Sequence, residues 1–314
     1  MSLLVEFLQA NPRLLVITGA GISSPSGIPT YRDDAGHWQR AEPIQHRDFI
    51  RSHGTRQRYW ARSLLGWPYM ENAQPNTAHY ALARLERAGH IELLVTQNVD
   101  RLHQRAGQRN IIDLHGRLDL VVCLECGNKS PRSQLQRSLI KLNPLLQHRI
   151  AGIRPDGDAG LADRHVHGFV VPSCTLCGGT LMPDVVFFGG GVPRERIDKA
   201  TAAMRQADAL LVTGSSLMVY SGYRFCRLAR EWGKPLAILN RGKTRADALA
   251  TLKISADCMS ELAGLCDRLG LCRPQWFHNQ PPATAEPTAS INCREPAFDL
   301  IHRSPGCAGR TAER

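Results

Sequence analysis

RLLVITGAG, residues 13–21, decides the fold. Four apolar side chains in succession, Leu14 to Ile17, lead into Thr18 and then into two glycines. A run this short and this apolar reads as a strand buried on both faces, and Gly19-Ala20-Gly21 reads as the tight turn at its end. Two glycines there let the backbone approach a pyrophosphate, while a following helix N-terminus would offer free N–H groups. An ordinary hydride-transfer dinucleotide fingerprint is disfavoured: Ser24 stands where its third glycine belongs, and no acidic residue ends a strand about 20 residues later. A plain tight turn remains the alternative.

Similar segments recur along the chain. IELLVTQNVD (91–100), DLVVCLEC (119–126), MPDVVFFGGG (182–191), ADALLVTGSS (207–216), PLAILNR (235–241) and LKISAD (252–257) are short apolar runs, most of them ending in small or polar residues. Helical patterns, such as Tyr80 to Ala88, lie between them. The alternation predicts an α/β fold, a Rossmann-like doubly wound parallel sheet with ligands at the carboxyl ends of its strands. Residues 33–75, rich in Arg, His and Trp, read as an inserted helical lobe. Residues 117–182, with a turn-rich loop at 152–160, read as an inserted metal-stabilised module. The expected catalytic domain is 1–272, and 273–314, with five prolines before Ala297, is expected to be a mostly disordered tail.

The ten cysteines are unevenly used. Cys123/Cys126 and Cys174/Cys177 form two C-x-x-C pairs, 47 residues apart. Four thiolates suit one tetrahedral Zn²⁺ and leave no open coordination position, so the expected zinc is structural, one per chain. A redox pair is the competing reading. No apolar run is long enough to span a membrane, and the N-terminus lacks signal- or transit-peptide character, so the expected compartment is the cytoplasm. The net charge of +11 favours anionic partners, but no RNP pattern, zinc finger or aromatic-laced basic helix supports a nucleic-acid partner.

Three more clusters stand at strand ends. Gln97, Asn98 and Asp100 offer donors and acceptors suited to a ribose and a carboxamide, or else cap the next helix. His115, followed by Gly116 after the run IIDL (111–114), has the ordinary pKa of a general base at neutral pH. Gly214, Ser215 and Ser216, with Asn240, fit ribose and phosphate contacts.

Together GAGISSPSGIPTYR (19–32), TQNVD (96–100), LHG (114–116), the paired C-x-x-C and GSS (214–216) resemble the sirtuin family over roughly residues 10–270. TYR at 30–32, PDVVFFG (183–189) and SSLMVYSGYRF (215–225) look most like its class II, mitochondrial-type members. The resemblance implies an NAD-dependent protein-lysine deacylase that gives nicotinamide, O-acyl-ADP-ribose and free lysine. It implies His115 and Asn98 as catalytic residues, with the His115 imidazole accepting a proton through the ribose hydroxyls. It implies NAD contacts from Gly19, Ala20, Gly21, Ser23, Pro29, Tyr31, Arg32, Gln97, Asn98, Asp100, Gly214, Ser215, Ser216, Asn240 and Cys258, with 28–38 as a mobile cofactor-binding loop. Val219 and a Phe188–Gly189 strand would pair with an extended acyl-lysine peptide.

Tyr59 and Arg62 resemble the Tyr-x-x-Arg pair of acidic-acyl-selective members, Arg62 holding a carboxylate; a surface charge is the alternative. Thr30 and Gly190 depart from the acidic residues common in the family, which bears on peptide preference and rate. An NAD-dependent mono-ADP-ribosyltransferase and a non-enzymatic NAD-sensing module are the competing functions. The expected partners are acylated-lysine proteins; the oligomeric state is not read from the sequence.

Overall fold

The computed structural model describes residues 2–33, 35, 37, 39, 43–146 and 166–271. The tail from 273, the 152–160 loop and part of the 28–38 loop lie wholly or partly outside the described residues. Along the chain the elements are α1 Leu3–Ala10, β1 Leu14–Thr18, α2 Ala20–Ser23, α3 His46–Arg51, α4 His53–Asn72, α5 Thr77–Arg87, β2 Ile91–Thr96, α6 Leu102–Arg105, β3 Ile111–Asp113, β4 Gly116–Cys123, β5 Lys129–Pro131, α7 Arg132–Leu142, β6 Leu181–Val185, α8 Arg194–Gln206, β7 Ala209–Thr213, α9 Tyr220–Glu231, β8 Leu236–Leu239, β9 Leu252–Ile254 and α10 Cys258–Arg268.

Six strands form a parallel sheet in the order β3-β2-β1-β7-β8-β9. β1 explains why its sequence is continuously apolar. Leu14 and Val16 face a core built with Leu4 and Leu8 of α1, Leu82 and Leu85 of α5, and Leu262 and Leu265 of α10. Leu15 and Ile17 face the opposite core, with Ala200 and Met204 of α8 and Phe225 and Ala229 of α9. A strand covered by helices on both sides has no polar face to alternate with. β7 and β8 split their side chains between the same two cores.

The order reverses at the centre: from β1 the chain builds outward to β2 and β3, then returns to add β7, β8 and β9 on the other side. β1 and β7 flank the point where the order reverses, and a crevice lies over those carboxyl ends. This is the expected Rossmann-like architecture.

The 182–191 run differs from expectation. Its strand, β6, does not join the parallel sheet; it pairs antiparallel with β4 in a separate sheet ordered β5-β4-β6. The helical lobe and the metal module also share one core. Tyr59, Trp60 and Leu64 of α4 pack with Val121, Leu135, Leu139, Leu181 and Met182. Arg132 joins them: its guanidinium lies over the rings of Trp60 and Trp67 and donates to the Ser63 carbonyl (3.2 Å) and hydroxyl (3.1 Å). Burial lowers its pKa to about 10.

Candidate active site

Glycine lets the two central turns at the crevice meet. Gly21 N–H donates to Gly214 O at 2.8 Å, bringing the turns after β1 and β7 into backbone contact. A Cβ on Gly21 would sit 2.8 Å from that oxygen, and one on Gly214 would sit 2.4 Å from Ile22 N. Gly214 also adopts φ +62°, where a side chain is strained. The expected helix with free N–H groups is corrected here: α2 is a single turn, and the amide of Gly21 is engaged by the neighbouring strand end.

The polar residues after β2 fold back over this junction. Gln97 Nε2 donates to Ser215 Oγ (2.8 Å) and Thr18 O (3.2 Å). Asn98 Nδ2 donates to Gly19 O and Ser23 Oγ, both at 3.0 Å. Ser23 Oγ donates to Asp100 Oδ2 at 2.7 Å, and Asp100 Oδ1 accepts from Leu102 N at 2.9 Å. Asp100 thus joins the cluster and also accepts from the first amide of α6. Burial raises its pKa, against the pull of these two hydrogen bonds.

His115 sits between β3 and β4. Gly116 behind it takes φ +86°, and a Cβ there would meet Asp184 O at 2.1 Å, so the chain can cross into the small sheet only through glycine. His115 Nδ1 lies 3.1 Å from Gln97 O, and Nε2 lies 2.7 Å from Ser221 Oγ. Burial lowers the imidazole pKa to about 4; the Gln97 carbonyl opposes the shift and the charge of Arg196 adds to it. The ring is therefore neutral at pH 7 and able to accept a proton.

One cavity of about 680 Å³ gathers these groups. Of the candidate residues, Gly19, Ala20, Gly21, Ser23, Tyr31, Arg32, Tyr59, Gln97, Asn98, Asp100, His115, Phe188, Gly189, Gly214, Ser215, Ser216, Val219 and Asn240 line it. Pro29, Arg62 and Cys258 are not among its lining residues. Phe188–Gly189 is not a strand: Gly190 N–H returns to Phe187 O (2.9 Å), closing a turn, and Phe188 O accepts from His46 N (2.7 Å). Its carbonyl is thus engaged by the helical lobe. Val219 does keep an extended backbone, φ −82° and ψ 128°, just before α9. Sequence reading missed Ser221, Arg224 and Lys243, which also line the cavity. A single Ser, Arg or Lys near a helix start carries no pattern to single it out.

The four predicted cysteines meet at the end of the small sheet. Their Sγ atoms all lie within 4.8 Å of one another, with Cys123–Cys177 at 3.5 Å and Cys126–Cys174 at 3.8 Å. Tetrahedral Zn–S bonds of about 2.3 Å imply edges of about 3.8 Å, so the donor set fits Zn²⁺. Both pairs sit in matched knuckles, Gly127 N–H returning to Cys123 O (3.0 Å) and Gly178 N–H to Cys174 O (2.9 Å).

The Sir2 family model matches residues 19–221. An "NAD-dependent protein deacetylase" of Xanthomonas campestris pv. campestris is 53% identical over 262 residues, 83% of this chain and 89% of that protein. One of Bordetella bronchiseptica is 54% identical over 257 residues, 82% of this chain and 94% of that protein. The Bos taurus "NAD-dependent protein lipoamidase sirtuin-4, mitochondrial" is 51% identical over 267 residues, 84% of each chain. Among solved structures, a Sir2 complex with a p53 peptide and NAD⁺ superposes with TM-score 0.68 at 31% identity, covering 87% of this chain and 100% of that one.

Proposed function

The chain belongs to the Sir2 family, and with that as premise we propose that it is an NAD-dependent protein-lysine deacylase with His115 as its base. NAD, when bound, supplies an electrophilic sugar carbon with nicotinamide as leaving group, and the products are nicotinamide, O-acyl-ADP-ribose and free lysine. The chain's own residues do the rest. The junction of Gly21 and Gly214 lines the cavity at the switch point, where a dinucleotide backbone would lie. Asn98, Ser23 and Asp100 form a linked polar floor beside it. His115 presents a neutral, partly buried imidazole to the same cavity. Val219, extended and 38% exposed at the rim, offers backbone to a peptide. Cys123, Cys126, Cys174 and Cys177 would hold a structural zinc that fixes the small sheet and leaves no open coordination position for chemistry.

The observation that carries this reading is the meeting of His115, Asn98 and the Gly21–Gly214 junction in one cavity. Nicotinamide release on a panel of acyl-lysine peptides tests it. Turnover that requires both peptide and NAD, and is lost in His115→Ala, supports it; turnover retained in that variant refutes the role of His115. Mass spectrometry of the products separates deacylation from ADP-ribosyl transfer, which would leave the protein labelled.

The finer assignments are proposals as well. TYR at 30–32 and the Bos taurus relative support a class II, mitochondrial-type position in the family. We take residues 1–272 as the catalytic domain, with the helical lobe at 33–75 and the zinc module at 117–182. The cysteine pairs support a reducing compartment such as the cytoplasm. No helix among the described residues is long and apolar enough to cross a membrane.

A further inference from the structure

The hydroxyl of Ser221 stands 2.7 Å from Nε2 of His115, while Nδ1 on the other edge of the ring stands 3.1 Å from Gln97 O. A backbone carbonyl only accepts, so Nδ1 holds the hydrogen of the neutral ring. Nε2 then carries the lone pair, and Ser221 donates to it. Ser221 lies in the first turn of α9, is 9% exposed, and lines the same cavity as His115. The ring is thus held between two elements, the end of β2 and the start of α9, by bonds of opposite polarity.

We infer that Ser221 is a positioning residue for the His115 base: with the tautomer set by the Gln97 carbonyl, its hydroxyl holds the ring in the orientation that presents Nε2 to the cavity, and it accepts a hydrogen bond from Nε2–H once that atom is protonated. The inference rests on the reading of His115 as base. Only a group that both donates and accepts serves the two protonation states, and a hydroxyl does so by rotating about its C–O bond. In the proton transfer the O–H bond of the sugar hydroxyl breaks, its electron pair stays on the sugar oxygen, and a new N–H bond forms at Nε2. The O–H···Nε2 bond from Ser221 must open first, and the same oxygen is then placed to accept.

The surroundings give this acceptor a purpose. Arg196 of α8 donates to Leu114 O (3.5 Å), and its positive charge disfavours an imidazolium at His115. Gln97 O already stabilises the Nδ1 side, which leaves Ser221 as the protein acceptor for the Nε2 side. Hydrogen bonds to a charged partner are roughly twice as strong as neutral ones. The hydroxyl therefore favours the protonated ring on balance, and its removal slows the base step.

The test uses the zinc-loaded full chain labelled with ¹⁵N-histidine, with Ser221→Ala, Ser221→Thr and, for assignment, His115→Ala. The expected NMR result, read without NAD or peptide, is an Nδ1–H tautomer for His115 in the parent, Ser221→Ala and Ser221→Thr proteins, with the Nε2 resonance shifted in Ser221→Ala by loss of its hydrogen bond and restored in Ser221→Thr. The ratio of O-acyl-ADP-ribose formation to nicotinamide exchange should fall about tenfold in Ser221→Ala, the scale of one charge-assisted hydrogen bond, and recover in Ser221→Thr. An Ala variant with the parent's Nε2 resonance and the parent's ratio overturns the inference, as does a Thr variant no better than Ala. If His115→Ala keeps deacylating, the base reading itself fails. If His115→Ala is dead while Ser221→Ala matches the parent, only the positioning role falls.

Discussion

Gly21 and Gly214 touch backbone to backbone at the centre of the sheet, amide to carbonyl at 2.8 Å, and the two turns can meet there because neither residue has a side chain. Gly214→Ala places a methyl 2.4 Å from Ile22 N at φ +62°, so the β7 turn must move. The expected cost is about 2 kcal/mol or more of stability, from left-handed strain and a backbone clash together. NAD affinity should fall by at least about tenfold, the effect of a loss near 1.4 kcal/mol. Chemical denaturation and titration calorimetry read the two effects; parent-like values in both contradict the steric account.

His79 and His103 lie side by side beneath the site, ring centroids 4.7 Å apart, both fully buried. Burial lowers the pKa of His79 to about 3 and holds His103 well below its ordinary value, with the neighbouring ring adding to the shift. Their folded pKa values lie below that of the unfolded chain, near 6.5. Between those limits the unfolded state binds the extra protons, so the stability these rings contribute is present above pH 6.5 and lost as pH falls from there toward 3. One unit below 6.5 the loss is about 1.4 kcal/mol per histidine. Urea unfolding at pH 7.5 and 5.5 should show it, and His79→Gln should flatten the dependence. A stability independent of pH over this range would rule the account out.

Removal of zinc should act on the fold before it acts on the chemistry. Cys123 and Cys174 are buried, and Val121 and Leu181 of the small sheet pack against Tyr59, Trp60 and Leu64 of the helical lobe. Loosening the knuckles therefore also loosens the wall of the cavity that Tyr59 lines. Cys174→Ala should release one metal ion per chain in a colorimetric chelator assay and lower Tm by several degrees, as expected for a loss of a few kcal/mol. A parent-like metal content in that variant would exclude the four-cysteine site.

How much of this was legible follows from how local each signal is. The Leu14–Thr18 strand was readable because helices cover both its faces and leave a continuous apolar run. The cysteines were readable because each knuckle closes within four residues. The 182–191 run was readable as a strand but not as a partner of β4, because an apolar run does not encode which neighbour it will meet. Arg132 on the polar-looking α7 gave no hint of burial; only the approach of Trp60 and Trp67 from α4 makes that site. Ser221 was invisible for the same reason, since its significance depends on a histidine 106 residues away.

The proposed acyl preference would turn on Tyr59 and Arg62. Tyr59 is 2% exposed, lines the cavity and packs edge-on against Phe49 and Phe187. Arg62 stands one turn along α4, and residues three apart share a helix face. It does not itself line the cavity, so a carboxylated acyl chain would have to reach beyond the lining residues to meet its guanidinium. The proposed preference for glutaryl- or succinyl- over acetyl-lysine depends on that reach. A charge-assisted hydrogen bond contributes about 1.5–3 kcal/mol, so the glutaryl-to-acetyl ratio of kcat/KM should fall by about ten- to a hundredfold in Arg62→Met. Acetyl turnover serves as the internal control for damage to α4. If the ratio stays level while acetyl turnover is kept, Arg62 does not read the acyl group, and any selectivity must come from other lining residues.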